Sequence, residues 1–225
     1  MRDYISLISY FSSFAVAAIA FIYGAKRLLK KSTLAYFQFL IWGAACFVLV
    51  SLSTCVNYIC GSIYNPHITL ASCGIIGVLI AFLSANMGVL DKLVDERTDN
   101  TKKARYLACI VPIVSAAMLG IACASYFKAR RFDFAILLIA LGIPMVLGGY
   151  FNTKHLLLPM DDMQILKTTR GCNIMCLVFD VTEILYIFST VYGQTPVISV
   201  CYFVRSVSVL VLIVFAVRGA SKWSL

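Results

Sequence analysis

Asp180, Glu183 and Arg205 are the residues of this sequence whose types and spacing suit them to chemistry. The two acids lie in an apolar stretch at about 171–192, and the arginine lies in a second at about 196–218. The short turn Tyr192-Gly193-Gln194-Thr195-Pro196 joins them. Every other formal charge in the chain can be placed outside an apolar segment, and these three cannot. Two carboxylates three residues apart share one face of a helix. Folding the hairpin about residue 194 puts Glu183 level with residue 205 or 206, each ~15 Å from the turn at ~1.5 Å per residue. An unpaired charge in mid-membrane costs ~2.5–3.5 kcal/mol on insertion scales. The spacing therefore predicts a buried Glu183–Arg205 pair, with Asp180 one turn deeper as a second acceptor or as the titrating member.

Such a cluster has two uses. It can lock the two helices in register, since buried pairs specify geometry even where they add little stability. It can also do work, because two acids facing one base leave an excess negative charge. A carboxyl that can take up a proton is suited to proton coupling or cation recognition. Asn173 and Cys176 on one side, with Tyr186 and Thr190 on the other, extend the face into a polar stripe. Asn86, Tyr186, Tyr202 and Asn57 form a second tier of candidates, with Tyr58 beside Asn57.

The elements that must hold these residues follow from composition. Of 225 residues 61% are hydrophobic and only 13% are charged, and the mean hydropathy is +0.92. A soluble domain has roughly 25% charged residues, so this chain lacks the polar groups to cover its own surface. Apolar runs of about 20 residues recur throughout, the length that crosses ~30 Å of hydrocarbon as a helix. The expected fold is all-α: one polytopic membrane domain over residues 1–225, with no soluble domain. Seven spans are expected at about 4–24, 34–60, 68–91, 106–127, 133–153, 171–192 and 196–218. The first is too long for a signal-peptide core and lacks a small-x-small cleavage site.

Lys and Arg crowd one side of this topology. Lys26, Arg27, Lys30 and Lys31, the 92–105 loop, Lys154, Lys167, Arg170 and Arg218 fall there, while the other side has only Arg2, Lys128, Arg130 and Arg131. The positive-inside rule then puts the N-terminus outside and the C-terminus in the cytoplasm, in the plasma (inner) membrane. The same bias accounts for the net charge of +9, so no nucleic acid is implied as a partner.

Pro112 and Pro144 fall within spans, and Pro144 is followed by Gly148-Gly149, so the fifth span is expected to bend or unwind there. Small residues recur every fourth position in the third span (Gly77, Ala81, Ala85) and the fourth (Ala116, Gly120, Ala124). Such stripes let helices approach closely, within one chain or between copies. Most of the nine cysteines sit inside apolar runs as small hydrophobes, and only Cys60 and Cys73 flank one loop. His67 and His155 lie at opposite ends of the bundle, so no metal site is expected. Tyr36, Trp42, Tyr58, Tyr64, Tyr126, Tyr150, Tyr192 and Trp223 fall near span ends, as interface belts do.

In topology alone the chain resembles the microbial rhodopsins. Those carry a retinal-bearing lysine within the last span, where this chain has none. Lys222 lies beyond that span and Arg205 cannot form a Schiff base, so retinal is excluded and no cofactor is expected. Paired carboxylates also admit an intramembrane lipid hydrolase, but the chain has no HExxH, no GxSxG and no Ser/His pair at one depth. The expected function is non-enzymatic: binding or translocating a small solute or proton at Asp180, Glu183 and Arg205. The alternative is a receptor, sensor or membrane subunit acting through a separate membrane or cytoplasmic protein. The expected surroundings are the lipid bilayer, with a second copy of the chain as a further partner.

Overall fold

A computed structural model describes residues 4–29, 33–60, 70–87, 91, 101–158, 164–193 and 195–221. These residues form helices α1 (Tyr4–Leu28), α2 (Ala35–Ile59), α3 (Leu70–Asn86), α4 (Thr101–Ala108), α5 (Ile110–Lys128), α6 (Phe132–Leu157), α7 (Gln164–Val191) and α8 (Thr195–Ser221). Among the described residues six apolar helical stretches are long enough to cross a membrane: Ser6–Leu28, Ala35–Ile59, Lys102–Lys128, Phe132–Leu157, Thr169–Val191 and Pro196–Ser221. The chain is a multi-pass helical membrane protein.

Several helices extend past the apolar runs that announce them. The first runs four residues beyond its expected end at 24, α6 reaches Leu157 rather than 153, and α7 begins at Gln164 rather than 171. A helix satisfies its own backbone, so it has no need to stop where the hydrocarbon does. In the other direction, α3 has 17 residues and ends at Asn86, short of the expected 91. The fourth span is split: Cys109 is a turn between α4 and α5. Pro112 explains the break, because it has no N–H to donate to the carbonyl of Ala108. Pro144 and Gly148-Gly149 do not unwind α6, which stays helical from Phe132 to Leu157.

The helices close into a ring. Going round it, α1 packs on α2, α2 on α3, α3 on α6, α6 on α7, α7 on α8, and α8 on α1 again. Helix α5 lies outside the ring, against α6 and to a lesser extent α7. The two small-residue stripes therefore have different fates. On α3, Ala81 and Ala85 are buried, and a Cβ on Gly77 would meet Cys46 Sγ of α2 at 3.0 Å. On α5, Ala116, Gly120 and Ala124 are exposed, and a Cβ on Gly120 would meet nothing within 4 Å.

Aromatic rings fill the centre. Phe179 of α7 meets Phe47 of α2 and Phe82 of α3 edge-on, with centroids 5.6 and 5.5 Å away. The turn from α7 to α8 carries Gly193 at φ 69°, a left-handed conformation that glycine adopts without penalty. All nine cysteines are free, Cys60 and Cys73 among them.

Candidate functional site

Asp180 and Glu183 lie on α7, and Arg205 lies on α8, which packs against it. All three are buried, Arg205 to 1% exposure and Glu183 to 2%. Nη1 of Arg205 donates to Oε2 of Glu183. The guanidinium lies over two rings, with Cζ 4.4 Å from the centroids of both Tyr186 and Tyr202. A cation over an aromatic face is attracted by the ring quadrupole, by up to ~2 kcal/mol when desolvated. Arg205 thus has one carboxylate partner and the faces of two phenol rings beside it.

The rings belong to a larger cluster of tyrosines. Tyr186 and Tyr202 meet edge-on at 5.3 Å, with their hydroxyls 3.4 Å apart. Tyr10 of α1 packs on Tyr202 at 4.9 Å and on Tyr58 of α2 at 5.5 Å. Thr54 Oγ1 lies 3.4 Å from the Tyr202 hydroxyl. Four ring helices (α1, α2, α7 and α8) therefore contribute to the polar and aromatic cluster beside Arg205. Tyr58, Tyr36 and Tyr126 are buried in the bundle rather than facing a membrane interface, and the Tyr36 hydroxyl donates to Oδ1 of Asn173 at 3.0 Å.

Asp180 does not serve Arg205 as a second acceptor. Nε and Nη2 of the arginine, both buried, have no hydrogen-bond partner among the described residues. Three residues turn a helix through about 300°, so Asp180 and Glu183 diverge by about 60°, enough to give them different neighbours. The Asp180 carboxylate looks toward α6, where Oδ2 lies 3.9 Å from the position a Cβ on Gly148 would take. No hydrogen bond reaches it among the described residues. Thr190 is exposed and bonds back to the carbonyl of Tyr186, so the polar stripe ends before it.

The second-tier candidates separate. Tyr186 and Tyr202 hold Arg205, and Asn57 is half-buried near the end of α2. Asn86, fully buried on α3, belongs to a second polar group. Its Nδ2 donates to Oδ1 of Asn152 on α6 at 2.9 Å, and its Oδ1 lies 2.9 Å from Nδ1 of His155. Nε2 of His155 is 3.1 Å from Oδ1 of Asp91, and Lys154 Nζ donates to the same oxygen at 2.7 Å. Burial pushes the Asp91 carboxyl up, but hydrogen bonds from His155 and Lys154, with the charge of Lys154, hold it below its ordinary value. Lys154 and His155 are 2% and 3% exposed. Sequence placed them at a solvated helix end, because the apolar run of α6 stops before they are reached. His67 lies outside the described residues. No protein family, curated protein or solved structure matches this chain.

Proposed function

We propose that the chain is a non-enzymatic membrane protein that binds or translocates a small solute or proton, with Asp180 as the binding group. Glu183 and Arg205 form the fixed counter-pair beside it. The observation that carries this reading is the state of the Asp180 carboxylate: 7% exposed, with no hydrogen bond to it among the described residues. Glu183 and Arg205 cancel one another in charge, and Asp180 remains. A lone carboxylate in hydrocarbon is costly, so it is neutralised by a proton or by something positive that binds it. Residues 1–225 are one membrane domain in this reading. Helix α3 makes the seventh crossing, the N-terminus is outside, and the Lys154 end of α6 faces the cytoplasm of the plasma (inner) membrane. Flux of protons and small cations into vesicles holding the purified protein tests it. Asp180→Asn abolishes flux and leaves thermal unfolding unchanged; unchanged flux removes Asp180 from the mechanism.

One observation favours a second reading, a subunit that works through a partner. The face of α5 with Ala116, Gly120 and Ala124 points away from the bundle, which suits close approach by a helix of another chain. Native mass spectrometry after gentle extraction tests this: a stoichiometric second polypeptide supports it, and a monomer rejects it.

A further inference from the structure

The two polar groups meet at Gly148. A Cβ built there would have two neighbours within 4 Å beyond its own helix backbone: Asp180 Oδ2 at 3.9 Å and Asn152 Nδ2 at 4.0 Å. Gly148 therefore places no side chain between a buried carboxylate that no described residue hydrogen-bonds and a buried amide N–H. From Asn152 the hydrogen bonds run on without a gap through Asn86 and His155 to Asp91.

This chain has a direction. A side-chain amide donates at one end and accepts at the other. With Asn152 turning its N–H toward Asp180, Asn86 donates to Oδ1 of Asn152. The remaining Oδ1 of Asn86 is an acceptor only, so Nδ1 of His155 must carry the hydrogen between them; with Nε2 donating to Asp91 as well, the ring in this arrangement is an imidazolium. Both amide dipoles then point their positive ends at the Asp180 carboxylate. Turning both amides over reverses the order. A carbonyl oxygen would face Asp180, and Nδ1 of His155 would have to accept. An ionised Asp180 repels that arrangement, and a neutral one tolerates it.

We propose that Asp180 and His155 are coupled through this chain. One water-sized polar ligand seated over Gly148 joins Asp180 to Asn152, and the charge on Asp180 sets the direction of both amides and whether His155 carries hydrogens on both ring nitrogens or only the one Nε2 shares with Asp91, the proton given up leaving to solvent at the part-exposed Asp91. The proposal deepens the reading of Asp180 as the binding group and rests on it. Asn152, Asn86 and His155 act as positioning residues, carrying the state of the site to the place where Asp91 is tied to α6. Such coupling is reciprocal, so the state of the Asp91 contact also biases what Asp180 holds. The charged groups that face the two ends are Glu183 and Arg205 near Asp180, and Asp91 and Lys154 at His155. Helix α4 also packs on α6, and its Lys102, Lys103 and Arg105 are exposed.

The chain has two histidines, so in a His67→Gln background the ring nitrogens of isotope-labelled histidine report His155 alone. Solid-state NMR of the full chain in lipid bilayers is expected to show Nδ1 protonated. Asp180→Asn shifts part or all of that signal to the bare form. Gly148→Ala puts a methyl at ordinary contact distance from both neighbours and fills the seat, so the response to Asp180→Asn disappears in the double variant. Asn152→Leu, which cuts the chain, erases the response as well. A His155 signal that Asp180→Asn does not move overturns the coupling, and so does a response that survives both Gly148→Ala and Asn152→Leu. The unsubstituted protein gives a second readout that does not depend on how any Asp180 variant folds. Magnetisation passes from water to the Asn152 amide, and its absence removes the seat. Flux separates this proposal from the reading beneath it. Lost flux in Asp180→Asn with an unmoved His155 sinks the coupling alone, whereas a moved His155 with no flux in any variant keeps the coupling and sinks transport.

Discussion

Glu183 accepts a hydrogen bond from one nitrogen of Arg205 and leaves two buried nitrogens of that guanidinium without a partner among the described residues. The remaining stabilisation comes from the faces of Tyr186 and Tyr202. Removing the arginine strands Glu183 in the bundle, and removing one partner of a buried pair costs ~3–5 kcal/mol. Arg205→Ala is expected to destabilise by that amount in equilibrium unfolding. Glu183→Gln combined with Arg205→Gln is expected to cost less than the two single changes together, by ~1–3 kcal/mol. Additive costs in that cycle would mean that the two side chains do not interact.

The two rings make a separate prediction. Tyr186→Leu or Tyr202→Leu removes a face from the cation and is expected to cost ~1–2 kcal/mol. The phenylalanine variants keep the face and lose only a hydroxyl whose neighbours are 3.4 Å away, so they are expected to cost about 1 kcal/mol or less. Equal losses for leucine and phenylalanine would assign the stabilisation to the hydroxyls instead.

At the other end, Asp91 links stability to pH. Its folded value lies below the ordinary 3.8 because His155 and Lys154 outweigh burial. A depressed carboxylate stabilises the fold fully above its unfolded value, and that contribution is lost as pH falls through the lower folded value. Acid unfolding of the protein is therefore expected to steepen below the ordinary carboxylate range. Asp91→Asn is expected to flatten that dependence; an unchanged acid limb would show that the contact does not contribute.

Two glycines give opposite outcomes for one substitution. A Cβ on Gly171 of α7 would lie 2.8 Å from the Phe215 ring of α8, which has no room to retreat as a flexible chain end would. Gly171→Ala is expected to cost ~1–3 kcal/mol through overpacking, and Phe215→Leu in the same chain is expected to recover part of it. Gly120→Ala meets open space and is expected to be neutral, or to stabilise α5 by up to ~1 kcal/mol through its greater helix propensity. A clear loss at Gly120 would show that another chain occupies that face.

Asp180, Glu183 and Arg205 are visible in the sequence because a charge inside an apolar run needs an explanation, and depth along a hairpin is arithmetic. The divergence of Asp180 from Glu183 is not visible. It depends on which helix packs on which side of α7, and hydropathy is silent about that. Tyr10 is hidden for the same reason, and Tyr58 is named both as a second-tier candidate and as part of the interface belt: near a span end, a tyrosine pointing inward reads like one pointing at headgroups. Lys154 and His155 are missed because the apolar run of α6 ends before its helix does, and Asn152, just inside that run, carries no sign of the partner it meets on α3. A run of the right length reports that a helix exists; ring order, and the placing of α5 outside it, are settled by side-chain fit between helices far apart in the sequence.

The ring closes by setting α1 against α8, where Ser9 donates to the carbonyl of Ser199 at 2.7 Å. In vectorial synthesis α1 is therefore in the bilayer long before its main neighbour exists, and Glu183 and Tyr186 enter it before Arg205 does. Until α8 follows, the two acids of α7 lie in the bundle without the arginine that one of them pairs with, so the Glu183–Arg205 contact is a late event in assembly.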